Sequence, residues 1–358
     1  MGNYGGMLQV YASNHFLRNE GHDVSYLNPV FTYVRQVHSN ILAIIKLIVK
    51  HILYKFRLYR DVPPSCFYCA GYGFRRHINA GIESEADALK SMDAFFVGSD
   101  QIWRDPIDEK RVVYFLEFAT VQQRRASVSY AASFGMDEKN WGGGKEDVIR
   151  KCGHLLREFK AVSVREHSGV KICKEVFGVD AVQMPDPTLL LHTSDYEKII
   201  DSEKTWLPES KYVAAYVLDE TDGKAELLQE GAEALNLQLQ HLMPHATAKK
   251  RRDRFPISVP QWLRLIRDCE YFITDSFHGC VFAIIYNKPF VCLGNAGRGN
   301  ARFDTLLGTF GLEDRMVTHA SPEEIQRVLN TPIDWERVNA IHDAERERGI
   351  NFLKENLL

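Results

Sequence analysis

From residue 93 onward, short apolar runs alternate with stretches of helical spacing, and this alternation admits little besides an α/β fold with parallel sheets. Runs at 94–97, 126–131 and 161–164 read as strands, and each delivers polar residues where it ends: Gly98-Ser99-Asp100, Ser133 and Arg165. In an open α/β sheet ligands collect at that edge, because loops and helix N-termini gather there. The apolar run at 184–191, around Asp186-Pro187, reads as one more strand. A second series opens at 212–217 and continues through a helix at 225–235, a strand at 237–242, a helix at 260–269 and a strand at 271–274. Two such series in 358 residues imply two domains, each with its own core. The expected divisions are 1–195, 196–332 and a charged, helical tail at 333–358 with the spacing to pack back on the first domain.

Ahead of this alternation, Leu8, Tyr11, Ala12 and Phe16 share one helical face, and Asn3-Tyr4-Gly5-Gly6 is a glycine-bearing loop of the kind that follows a first strand. A strand is therefore expected before it. A short strand is expected at 24–27. Residues 41–60 read as one basic amphipathic helix, with Lys46, Lys50 and Arg57 close to one face. Such a helix packs on its own domain or on a second subunit in a homodimer, or it lies on an anionic membrane surface.

Composition narrows the class of protein. Apolar residues at 45% and charged residues at 25% describe a folded globular chain, and a formal net charge of −3 gives no overall attraction to nucleic acid. The seven cysteines suggest no disulfide framework, and Cys66 and Cys69 form a lone CxxC without further ligands, so ordinary thiols are expected and no metal is assigned. No leader pattern and no uncharged apolar run of membrane-spanning length is visible. The expected location is the cytoplasm, with peripheral contact at the inner membrane surface through 41–60 as the alternative. Gly142-Gly143-Gly144 is read as a turn and the basic run 249–254 as a solvated loop.

The most informative segment is Asp275-Ser276-Phe277-His278-Gly279, between the strand at 271–274 and an apolar helix at 281–286. Strand, polar turn and helix make an anion-site layout, since first-turn N–H groups and the helix dipole favour phosphate or carboxylate. Asp275 or Ser276 can cap the helix. His278 has no capping role, and an imidazole at this edge can move a proton near neutral pH.

Further segments share an order along the chain. Asn3-Tyr4-Gly5 with Leu8 to Ala12, Gly98-Ser99-Asp100-Gln101-Ile102-Trp103, and Ser129-Tyr130-Ala131-Ala132-Ser133-Phe134-Gly135 come first. Ser163-Val164-Arg165-Glu166 with Ser168-Gly169, Asp186-Pro187-Thr188, Asp275 to Gly279 with Asn287-Lys288-Pro289-Phe290, and Arg302 before Leu306-Leu307 follow. The series resembles the polysaccharide pyruvyl transferase family. That resemblance implies two Rossmann-like domains facing across a cleft, similar to the GT-B arrangement, and transfer of a pyruvyl group from phosphoenolpyruvate to sugar hydroxyls. Phosphoenolpyruvate is a co-substrate, so no cofactor is expected; the acceptor is a sugar, free or lipid-linked.

Carried over by motif, His278 is the acid/base residue, with Asp275 tuning it or capping. Arg165 and Arg302 are donor-binding arginines, suited to a carboxylate and a phosphate by their planar fork. Ser276 and Gly279 are expected to meet the donor through their backbone. Asn3, Tyr4, Asp100 and Gln101 are assigned to the opposing domain, where they contact the acceptor or hold loops together. Arg104 stands where the family pattern often has asparagine. The competing readings are a nucleotide-sugar glycosyltransferase, whose fold class is the same, and a non-catalytic relative that binds glycans.

Overall fold

A computed structural model describes residues 4–27, 77–78, 89–109, 111–138, 141, 143–219, 222–244, 251–294, 299–318 and 321–357. Asn3, the basic segment 41–60, and Cys66 and Cys69 lie outside the described residues. The chain forms two compact units. One holds the described residues of 6–190 together with 345–357; the other holds Tyr4, Gly5 and those of 191–344.

Helix α1 (Tyr4–Asn19), in the N-terminal unit from Gly6 onward, leads to strand β1 (Tyr26–Leu27), which pairs in parallel with β2 (His77–Ile78). The main sheet is parallel throughout, in the order β3 (Phe96–Val97), β4 (Val128–Ala132), β5 (Ala161–Val164) and β6 (Val182–Gln183). Helices α2 (Val121–Ala126), α3 (Glu146–Leu156) and α4 (His167–Ile172) make the crossovers. Every residue of β4 is buried, as expected of a parallel strand covered on both faces. Its serine is satisfied across the ladder: Ser129 Oγ donates to Ser163 O at 3.0 Å and Ser163 Oγ returns the bond to Ser129 O at 2.9 Å. A register shift between Ser129 and Ala132, with Ala131 at φ 48°, turns the end of the strand toward Ser133.

The run at 184–191 is not a strand. Strand pairing stops at Gln183, and Pro187–Leu190 is a 3₁₀ turn. Pro185 and Pro187 have no N–H for a ladder, and Asp186 Oδ1 accepts from Thr188 N at 3.0 Å, which closes a local turn instead.

The C-terminal unit contains α5 (Thr193–Ile200), β7 (Tyr212–Tyr216), α6 (Asp222–Ala234), β8 (Gln238–His241), α7 (Val259–Arg267) and β9 (Tyr271–Thr274). These are followed by α8 (Phe277–Ile285), β10 (Phe290–Leu293), α9 (Ala301–Phe310), β11 (Met316–Val317) and α10 (Pro322–Asn330). Its parallel sheet has the order β11-β10-β9-β7-β8. The chain therefore runs outward from β7 to β8, then crosses back to β9 on the other side. Between β7 and β9 the loops leave in opposite directions, and this switch point is where an open α/β sheet offers a crevice.

All nine residues of α8 are buried, so it is an internal helix rather than an amphipathic one. The last helix, α11 (Trp335–Leu357), returns to the N-terminal unit, where Phe352 and Leu353 pack with Val128, Tyr130, Ala131 and Leu190. Gly349 allows that approach, since a Cβ there would stand 2.4 Å from the Tyr130 hydroxyl. The α/β class with two parallel sheets and a returning tail thus agrees with the sequence reading. Among the described residues no helix is long and apolar enough to cross a membrane.

Candidate functional site

The turn after β9 is built at the switch point. Thr274 Oγ1 donates to Tyr216 O at 2.7 Å, joining the ends of β7 and β9, and accepts the Ser276 N–H at 3.0 Å. Ser276 is the N-cap of α8, its Oγ accepting the Gly279 N–H at 3.3 Å. Gly279 has no alternative: a Cβ there would lie 2.3 Å from Thr274 Oγ1. The amides of Ser276 and Gly279, expected to meet a donor, are thus committed inside the turn. The N-terminal end of the α8 dipole at this turn favours an anion.

Asp275 is 2% exposed and does not cap the helix. Its Oδ1 accepts from Leu218 N at 2.6 Å, and its Oδ2 from Asp219 N at 3.1 Å and Lys224 Nζ at 3.4 Å. Its carboxylate therefore ties the loop after β7 to the turn after β9, across the switch point. The reason is geometric: Asp275 follows the last β9 residue, level with the end of the neighbouring strand, whose first loop amides need acceptors. Lys224, which sequence reasoning missed, supplies the matching charge from α6. Nothing in its local sequence separates it from other helix lysines.

His278 is the second residue of α8 and is buried, with the Phe277 ring edge-on at 5.3 Å. The helix starts four residues earlier than its apolar run suggests, so His278 lies inside the first turn. Arg302 is buried on α9, its guanidinium carbon 5.8 Å from the Phe303 ring centroid, and Phe303 in turn meets Phe277 at 6.4 Å. Tyr4, expected on the opposing domain, is part of this same unit. It is 1% exposed, stacked on Trp262 at 5.5 Å, edge-on to Tyr216 at 5.9 Å, and its hydroxyl donates to Ile257 O at 2.9 Å. Asp275, Ser276, His278, Gly279, Arg302 and Tyr4 are thus gathered in the C-terminal unit.

Arg165, Asp100 and Gln101 belong to the N-terminal unit. Arg165 is 2% exposed at the end of β5; its Nη1 pairs with Asp186 Oδ2 at 2.8 Å and its Nη2 with Asp100 Oδ1 at 3.7 Å. Burial works against its charge, but Asp186, Asp100 and Glu166 outweigh burial and hold its pKa above the ordinary arginine value. The expected open fork for a donor carboxylate is therefore directed at protein carboxylates. Asp186 completes a buried network: its Oδ2 also accepts from Ser99 Oγ at 3.1 Å, its Oδ1 from Thr188 Oγ1 at 2.7 Å, and Ser99 N donates to Gln9 Oε1 at 2.9 Å.

Glu166 is fully buried, and its Oε1 accepts from Ser133 Oγ at 3.1 Å, Phe134 N at 2.6 Å and Gly135 N at 2.9 Å. It anchors the loop after β4. Asp100 has φ 64° and a side chain 28% exposed, so it is the one member of the Arg165 group that reaches solvent. Gln101 Oε1 accepts from Arg104 Nη1 at 2.8 Å, and Trp103 is fully buried against Phe115. Arg104 thus engages a residue expected to face the acceptor.

Residues 3–297 match the family model described as polysaccharide pyruvyl transferase. The chain belongs to that family. No curated protein matches it. Similar solved structures include the glycotransferase of kitacinnamycin, at 13% identity and TM-score 0.44 over 98% of this chain and 95% of that one. The spinosyn forosaminyltransferase SpnP is similar at 12% identity and TM-score 0.43, over 96% and 91% of the two chains. The H548A form of the wall teichoic acid polymerase TagF is similar at 13% identity and TM-score 0.44, over 87% and 84%.

Proposed function

We propose that this member of the family transfers a pyruvyl group from phosphoenolpyruvate to hydroxyls of a sugar, in a cell-surface polysaccharide or its precursor, with release of phosphate. The observation that carries the reading is the position of His278, in the first turn of a helix that starts at the switch point between β7 and β9. A transfer of this kind forms a C–H bond at the methylene carbon and C–O bonds from the acceptor to the central carbon, and it breaks the bond from that carbon to the phosphate oxygen. When two hydroxyls add, one of their protons accounts for the new methyl group and the other leaves with phosphate. Group transfer of this kind needs a residue that moves a proton and donors that hold the departing charge.

His278 moves the proton. The N-terminal end of the α8 dipole favours the anionic end of the donor, and Arg302 on α9 is the arginine of this unit assigned to it. Asp275 holds the loops around the turn. Asp100 is assigned to an acceptor hydroxyl, since Arg165 orients it and its carboxylate remains part-exposed. The protein works in the cytoplasm on this reading, with 41–60 as its membrane contact when the acceptor is lipid-linked. Incubation with phosphoenolpyruvate and glycan fractions tests it: phosphate release matched by mass gain on the sugar supports the proposal. Turnover of nucleotide sugars in place of phosphoenolpyruvate would refute it.

A further inference from the structure

Gly5 lies against His278 more closely than any side chain permits. An ideal Cβ on Gly5 would stand 2.1 Å from Nδ1, 2.2 Å from Cγ and 2.6 Å from Cβ of His278. The backbone at Gly5 therefore lies against the Cβ–Cγ–Nδ1 side of the imidazole, away from Nε2. That backbone is itself fixed, because the preceding residue, Tyr4, is buried in the stack with Trp262 and Tyr216 and bonded to Ile257 O. Gly5 is also a residue of α1, where glycine is disfavoured relative to alanine, so local propensity gives no reason for it. The space occupied by His278 does.

We infer that Gly5 is a positioning residue for His278: the Tyr4-Gly5 step holds the imidazole in one orientation by its Nδ1 edge and leaves Nε2 as the nitrogen that exchanges the proton. The inference rests on the reading of His278 as the proton-transfer residue, but the orientation itself is measurable without turnover. Histidine-labelled protein is compared by long-range ¹H–¹⁵N spectra, with the His278 ring assigned from a His278→Gln variant. In Gly5→Ala the His278 signals shift, Nδ1 more than Nε2, and kcat falls about a hundredfold, the order expected for a reacting group displaced by about 1 Å. KM for phosphoenolpyruvate changes little.

Gly231→Ala is the control. It places a methyl on α6 at an ordinary 3.5 Å from Ile325 Cγ2, and it leaves the His278 signals and kcat where they are. Unchanged His278 signals in Gly5→Ala overturn the inference, as does an equal shift in Gly231→Ala. If Gly5→Ala does not fold, Tyr4→Phe decides. It keeps the ring and removes the hydroxyl that donates to Ile257 O, and a His278 shift supports the inference while its absence overturns it. Shifted His278 signals in a protein that turns over no phosphoenolpyruvate would uphold the positioning and refute the proposed function.

Discussion

Replacing Asp186 by asparagine separates a structural Arg165 from a ligand-binding one. The side chains of Arg165 and Asp186 are 2% and 0% exposed, so the pair is fully desolvated. In the variant, Oδ1 still serves Thr188, but an NH₂ group replaces Oδ2 and faces the Arg165 N–H donor that Oδ2 accepted at 2.8 Å. Breaking a buried pair by removing one partner costs roughly 3–5 kcal/mol. Asp100 and Glu166 remain to balance the guanidinium, so the lower end applies, about 3 kcal/mol. For a unit of this size that lowers the melting temperature by roughly 6–12 °C. Differential scanning calorimetry reads it, in the transition of the N-terminal unit. A melting temperature within 2 °C of wild type, roughly the shift of a 1 kcal/mol change, would refute the reasoning and return Arg165 to the role of an open anion fork.

Gly279→Ala drives a methyl into Thr274 Oγ1, and overpacking of this kind costs roughly 1–3 kcal/mol, visible as a lower melting temperature. Cys152 and Cys269 are buried thiols whose pKa burial pushes up to about 12, so they stay protonated well below that pH. Alkylation at mild pH followed by peptide mapping should leave both unmodified in the native protein and label them in urea. For the segment 41–60, flotation with anionic liposomes at low and high salt should give binding that salt removes; no flotation at low salt ends the membrane reading.

The sequence was most legible where apolar runs and turn residues agree. The strand at Ala161–Val164 and the one at Tyr271–Thr274 have the residues their patterns assign, because each is a short apolar run closed by a polar residue at the sheet edge. The run at 184–191 misled because apolarity was weighed above its two prolines. The cluster around Asp275 was legible as a turn but not as a clamp. That Asp275 serves the loop after β7 depends on the pairing of β7 with β9, a contact more than fifty residues apart that no local pattern encodes. The pairing of Arg165 was illegible for the same reason: its partner Asp186 lies 21 residues away on the neighbouring edge. The Gly5–His278 contact is longer in range still, and a glycine early in the chain gave no hint of its neighbour.

The most direct test of the account is a single incubation of wild-type protein and His278→Ala with phosphoenolpyruvate and glycan from the protein's own source. Phosphate release and mass gain on the sugar are followed together. The account predicts that one phosphate appears for each pyruvyl group gained, and that His278→Ala slows both by about two to four orders of magnitude while the protein remains folded. Near-wild-type turnover in the folded variant would contradict it.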